Sequence, residues 1–181
     1  IEVGKRKILR RLADARGKFS ARPVLAGGGI RYELAGRTRA IGCGGIGAML
    51  RLTQELGLDQ AINRRLHLLK MNLPYHESDH VLNIAFNTLC QGTCLDDIEL
   101  RRNDEAYLDA LGVDSIPDPT TAGDFCRRFD DEAVLELQEA INEARLVVWR
   151  RQPDAFFAEA VIDVDGTLVG TTGECKQGMG Y

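Results

Sequence analysis

The stretch "AVIDVDGTLVGTTGE", Ala160 to Glu174, decides how the fold is read. Its apolar run from Ala160 to Val164 is too short for a stable helix and predicts a buried strand. Alternate residues of a strand share a face, so Asp163 and Asp165 are expected to project together. Two carboxylates that close repel unless a cation or donor lies between them. A hard divalent ion such as Mg²⁺ meets that need with oxygen ligands. Gly166 and Thr167 let the chain leave the strand. An acidic turn after a buried strand is the plainer reading, but packing alone gives little reason for two aspartates there.

Upstream of this stretch the pattern is helical. Residues 4–16 predict a short basic helix, and alternation of Ile30, Tyr32 and Leu34 a short strand. Ile46, Met49, Leu50, Leu52 and Leu56 recur at helical spacing up to a stop at Gly57. A second short helix is expected over Asp59 to Lys70. After Pro74, "HESDHVLNIAFNTLCQG" predicts a helix ended by Gly92. "CLDDIELRRNDEAYLDALG" predicts one helix or a pair, with Leu95, Ile98, Tyr107, Leu108 and Leu111 inward. Thr120 or Thr121 is the expected N-cap of a helix through Phe129. Asp130 or Asp131 then caps a long helix to about Gln152, burying Val134, Leu137, Ile141, Ala144 and Val148. The expected fold is therefore a mainly α region followed by the start of an α/β domain. Its divisions are a basic arm with a short strand over 1–40, a helical region over 41–155 and the first strand of a second domain over 156–181.

The 181 residues suffice for one ordinary domain, or a small one plus part of another. A hydrophobic share of 44% with 28% charged residues indicates a soluble globular chain. No apolar run approaches the roughly 20 residues of a membrane span. The basic start lacks the apolar core of a signal peptide, and a first residue of Ile suggests a fragment or processed chain. Five scattered cysteines argue against a disulfide framework and for a reducing cytoplasm. Charge is uneven: residues 1–40 hold eleven Lys/Arg and three Asp/Glu, a net of +8 against a total of −4. A basic arm ahead of an acidic body suits nucleic acid, although a solvated basic helix has the same composition.

Three other patterns carry chemistry. Asp163 and Asp165 fit a haloacid-dehalogenase-like phosphatase, as nucleophile and acid/base. That chemistry also needs a Lys and further carboxylates on a parallel sheet, for which the sixteen residues after Asp165 leave no room. "HESDH", His76 to His80, fits H-E-x-x-H, with Glu99 as a conceivable third zinc ligand. A helix start explains the same residues, since the dipole favours acids in a first turn. Cys90 and Cys94 read as buried free thiols, and "AGGGI" and "CGGIG" as turns.

Taken in order, "LPYHESDHVLNIAFNTLCQGTCLDDIELRRNDEAYLDALG", "IPDPTTAGDFCRRFD", "LQEAINEARLVVWRRQP" and "VIDVDGTLVGTTGECKQGM" resemble the DDE-type insertion-sequence transposases of bacteria. The likeness runs from about Ile30 to Met179. It implies a helical region that helps bind the element's terminal inverted repeats, then a ribonuclease-H-like catalytic domain. Asp165, directly before Gly-Thr, takes the place of the first acid of the Asp-Asp-Glu triad, with Asp163 as the alternative or a supporting carboxylate. Both are the metal ligands it implies, for Mg²⁺ or Mn²⁺. A two-metal site of this kind activates water and then a DNA 3′-hydroxyl for attack on phosphodiesters. The expected DNA contacts are Lys5, Arg6, Lys7, Arg10, Arg11, Arg16 and Lys18, with Arg127 and Arg128 in a helix-turn-helix-like element. A homodimer or the full-length transposase is the expected protein partner, and the bacterial cytoplasm the expected location. The family's second Asp and its Glu lie beyond this stretch, and "KQGMGY" departs from the family's longer polar segment. The chain is thus expected to be an inactive N-terminal fragment. A helical DNA-binding or interaction module is the non-enzymatic alternative.

Overall fold

The computed structural model describes residues 23, 25, 42–70 and 74–166. The basic helix expected over 4–16, the strand at Ile30 to Leu34 and the arm residues Lys5 to Lys18 lie outside them. The chain divides into two compact units, residues 1–151 and 152–181. The described residues are mainly helical, and none of them forms a strand.

In the first unit α1 spans Ile46–Glu55 and α2 spans Leu58–Arg65. Gly57 joins them at φ 69°, the left-handed region that glycine enters without a Cβ penalty. It therefore starts α2 as well as ending α1. Helix α3 spans Glu77–Leu89. Gln91, not Gly92, takes the left-handed position that ends it, at φ 67°. Gly92 is required for another reason: a Cβ there would lie 2.3 Å from the Asn87 side chain. A 3₁₀ turn at Leu95–Asp97 leads into α4, Ile98–Arg102, and Asp104 caps α5, Glu105–Leu111. The acidic segment is thus a pair of helices.

Helix α6 spans Pro119–Cys126. Its N-cap is Asp118, two residues ahead of Thr120 and three ahead of Thr121. The Asp118 carboxylate accepts from the Thr121 amide at 2.8 Å and from the Thr121 hydroxyl at 2.9 Å. Pro119 then occupies the first helical position, where its missing N–H costs nothing. Helix α7 spans Asp131–Trp149, capped by Asp130 through the Ala133 amide at 2.8 Å.

Two apolar clusters hold this unit together. The larger joins α1, α3, α4 and α5 around Leu50, Phe86, Ile98, Tyr107 and Leu111, with Leu25 and Ile116 from the connections. Each such side chain, fully buried, stabilises the fold by about 1.5–3 kcal/mol. The smaller sets Ala61 and Ile62 of α2 and its C-cap Leu66 against Ala133, Ala140 and the half-buried Leu137 of α7. This corrects the expected inner face of α7. Val134, Ile141 and Val148 are 36–44% exposed, while Ala133, Ala140 and Ala144 are buried. Small side chains let α2 lie close, and the interface is fixed at its edge by charge. The Arg65 guanidinium donates to Glu143 at 2.7 Å and to Glu136 at 2.8 Å, and Arg64 also pairs with Glu143. Glu136 and Glu143 are seven residues apart, so two helical turns bring both to the same side of α7.

The second unit is described over residues 152–166. A 3₁₀ turn covers Asp154–Phe157, with the Phe156 and Phe157 rings edge to face at 5.1 Å. The run expected as a buried strand is extended only as loop: Val161, Ile162 and Val164 are 83–88% exposed. A strand needs partners for its amide and carbonyl groups, and no described residue supplies them. The mainly α character stands as observed, and the α/β part remains an expectation.

Candidate metal and nucleic-acid sites

Asp163 and Asp165 lie in this exposed segment, one either side of Val164. Nothing lies within 4 Å of the position a Cβ would take on Gly166, so the backbone after the pair is open. Among the described residues no group of three His, Cys, Asp or Glu side chains is placed to hold a metal ion. The two carboxylates are hard oxygen donors of the kind Mg²⁺ or Mn²⁺ prefers. By themselves they amount to part of a ligand set.

Arg127 and Arg128 follow the last turn of α6. Arg127 pairs with Asp124 one turn back, which offsets its charge. Arg128 donates to the Leu68 carbonyl at 3.3 Å and lines a cleft of about 390 Å³ together with Tyr75, His80, Asp118, Thr121 and Phe125. Both arginines are exposed, and each has a partner within the first unit.

"HESDH" is the structural hub of the first unit. Glu77, Ser78, Asp79 and His80 are all buried, and nearly every polar group has a named partner. Asp79 accepts from the His76 amide at 2.8 Å, closing the first turn of α3, and from the Leu25 amide at 2.8 Å, tying down a residue 54 positions earlier. Glu77 accepts from the Leu69 amide at 3.1 Å. Ser78 and Asn63 form a reciprocal pair at 2.9 Å that links α3 to α2. Further along, Asn83 donates to the Pro117 carbonyl and Asn87 to that of Cys94, each at 3.0 Å. Asp79, Asn83 and Asn87 recur every four residues, so α3 has a polar stripe beside its apolar one. That spacing was the readable signal for the hub.

His80 is not arranged as a zinc ligand. Its ring stacks on Phe125 with centroids 4.5 Å apart and meets the edge of Tyr75 at 5.9 Å. Its Nδ1 is buried without a hydrogen-bond partner. Burial, with the nearby Arg128 charge, pushes its pKa down to about 4, and Asp118 only partly opposes this. The ring is neutral at pH 7. Glu99, the conceivable third ligand, is exposed on α4 and accepts from Arg102 at 3.3 Å and from the Asn103 side-chain Nδ2 at 2.9 Å. Of the two cysteines, Cys90 is buried as expected and Cys94 is exposed.

Comparison with protein-family models, with curated proteins and with solved structures finds no match to the chain. Among the described residues no helix is long and apolar enough to cross a membrane.

Proposed function

We propose that the chain belongs to a DDE-type insertion-sequence transposase, as the helical DNA-associated region and the first acidic segment of its catalytic domain. The observation that carries the reading is the Asp163-x-Asp165-Gly166-Thr167 sequence directly after an apolar run, within a likeness that stays in order from about Ile30 to Met179. Two structural facts support it. The body ahead of the acids is helical, and the chain divides at Gln152, close to the boundary expected at 155. Asp165 is the proposed first triad acid and Asp163 its support. Bound Mg²⁺ or Mn²⁺ would supply activation of water or a 3′-hydroxyl and stabilisation of the leaving oxygen. This chain's part is to present carboxylate oxygens and to hold DNA through Lys5, Arg6, Lys7, Arg10, Arg11, Arg16 and Lys18. Strand cleavage is proposed only for a chain that also carries the second Asp and the Glu.

The test is a gel shift on a duplex bearing the element's terminal inverted repeat, against a scrambled duplex of equal length. If all seven arm residues neutralise phosphates, log K falls against log salt with a slope of about −6. The Arg127→Ala and Arg128→Ala variants keep that slope if the arm dominates. No shift at low salt rejects the DNA-binding reading, and equal affinity for the two duplexes rejects recognition of the repeat. In a chain extended through the remaining acids, end cleavage that survives both Asp165→Ala and Asp163→Ala rejects the catalytic assignment.

A helical interaction module is the second reading, favoured by the exposed Val134, Ile141 and Val148 on α7. It predicts a mass by light scattering that rises with concentration and returns to the monomer value in Ile141→Gln.

A further inference from the structure

The glycine-rich turn "GCGG" and the end of α3 bring two cysteines together. Cys43 sits in the turn before α1 and is partly buried, whereas Cys90 is the C-cap of α3 and 7% exposed. Cys43 packs against the apolar cluster that includes Cys90. Both line an opening of about 460 Å³ shared with Gly42, Gly44, Gln91 and Arg101. Arg101 donates to the Cys90 carbonyl, which fixes the α3 end beside the turn. Cys94 is exposed and held differently: its amide donates to Asp97 at 3.1 Å and its carbonyl accepts from Asn87. Cys43 and Cys90 are both free thiols in this structure.

We propose that Cys43 and Cys90 are a redox site, closing to a reversible disulfide that staples the turn before α1 to the end of α3, with hydrogen peroxide as the oxidant. Cys43 is the more accessible thiol and reacts first. Having lost its proton to solvent, its sulfur attacks one peroxide oxygen and the O–O bond breaks. A sulfenic acid forms on Cys43, and the released hydroxide leaves as water after taking up a proton. The Cys90 sulfur then attacks the Cys43 sulfur. The S–S bond forms, the S–O bond breaks, and the Cys90 proton departs with the hydroxyl as a second water. Two thiols are oxidised by two electrons and one peroxide is reduced. Burial and the Cys43 thiol push the Cys90 pKa up to about 12, with Arg101 opposing, so Cys90 resolves rather than initiates. A dithiol reductant reverses the bond by exchange.

The test uses the whole chain carrying Cys94→Ser, because one tryptic peptide, residues 71–101, contains both Cys90 and Cys94. The reduced protein receives about one equivalent of hydrogen peroxide, is alkylated, and is digested without reductant. The expected product is peptide 40–51 linked to peptide 71–101, with the thiol titre lower by two and restored by dithiothreitol. Cys43→Ser abolishes the link, and Cys126→Ser leaves it. Should Cys94→Ser fail to fold, fragment-ion sequencing of the linked wild-type peptide distinguishes Cys90 from Cys94. Cys43 and Cys90 both alkylated after peroxide, a bond between Cys90 and Cys94, a link to Cys126 or Cys175, or oxidation of Cys43 to a sulfinic acid without pairing overturns the proposal.

Discussion

Lowering the pH should destabilise the first unit through one ring. His80 is buried, stacked on Phe125, and faces Arg128, so protonation in the folded state is opposed until pH falls to about 4. In the unfolded chain a histidine titrates near 6.5. The folded state therefore binds fewer protons between these values, and stability rises with pH across that window. The contribution is fully present above pH 6.5 and is lost as pH falls toward 4. A separation of roughly 2.5 units corresponds to about 3 kcal/mol at the lower limit and about 2 kcal/mol by pH 5. That is a large part of the 5–15 kcal/mol typical of a domain.

The control is His80→Phe. It keeps an aromatic ring against Phe125, and the Nδ1 it removes has no hydrogen-bond partner to strand. Urea unfolding followed by far-ultraviolet circular dichroism at pH 7 and pH 5 gives the free energies. The wild type should lose about 2 kcal/mol more than His80→Phe over this interval, where most carboxylates have not yet titrated. Titration of the His80 ring by NMR gives the folded value directly. Equal losses in the two proteins, or a ring that titrates near 6.5 in the folded state, would refute the reasoning.

Four further outcomes follow from the packing. Asp79→Ala strands the Leu25 and His76 amides and should lower unfolding free energy by about 2–5 kcal/mol, with Asp79→Asn losing less; a change below about 0.5 kcal/mol in urea melts removes the hub. Gly47→Ala sets a Cβ 2.7 Å from the Ala110 carbonyl oxygen, so α1 and α5 must part, at about 1–3 kcal/mol by the same assay. Ala140→Leu should cost about 1–3 kcal/mol by overpacking the α2–α7 contact, while Ile141→Ala should cost under about 1 kcal/mol; the reverse order restores the apolar face read from sequence. Asp163→Ala and Asp165→Ala should leave the melt of the first unit within about 0.5 kcal/mol of wild type, because both sit in the exposed second unit.

Helix positions were legible because glycine, proline and capping aspartates punctuate the chain. Asp104, Asp118 and Asp130 each cap the helix that follows. The threonines at 120 and 121 misled because Pro119 can be read as punctuation before a helix or as its first residue. The inner face of α7 was legible only in part: Ala144 is buried and Leu137 packs inward as expected, but Val134, Ile141 and Val148 are exposed. Val134, Leu137, Ile141, Ala144 and Val148 form a regular apolar series, and hydrophobicity alone ranks valine and isoleucine above alanine for burial. The contact with α2 is instead decided by closeness, which favours Ala133 and Ala140, and by the Arg64 and Arg65 pairs at its margin. Those pairings come from residues about 78 positions away in sequence, and no local pattern announces them.

The two acidic motifs that both read as metal chemistry are separated by burial. In "HESDH" the Asp79 oxygens already accept from two backbone amides, and a metal would have to take them away, leaving two buried donors unpaired. Each such donor costs about 1–3 kcal/mol, and the neutral His80 ring is packed between aromatic groups where a cation has little room. In "DVDGT" the carboxylates are exposed, and nothing lies within 4 Å of the position a Cβ would take on Gly166. Among the described residues none makes a hydrogen bond to the Asp163 or Asp165 oxygens. A metal at the second motif would therefore take no oxygen from the hydrogen bonds of the described residues, whereas the first motif is used up in making them.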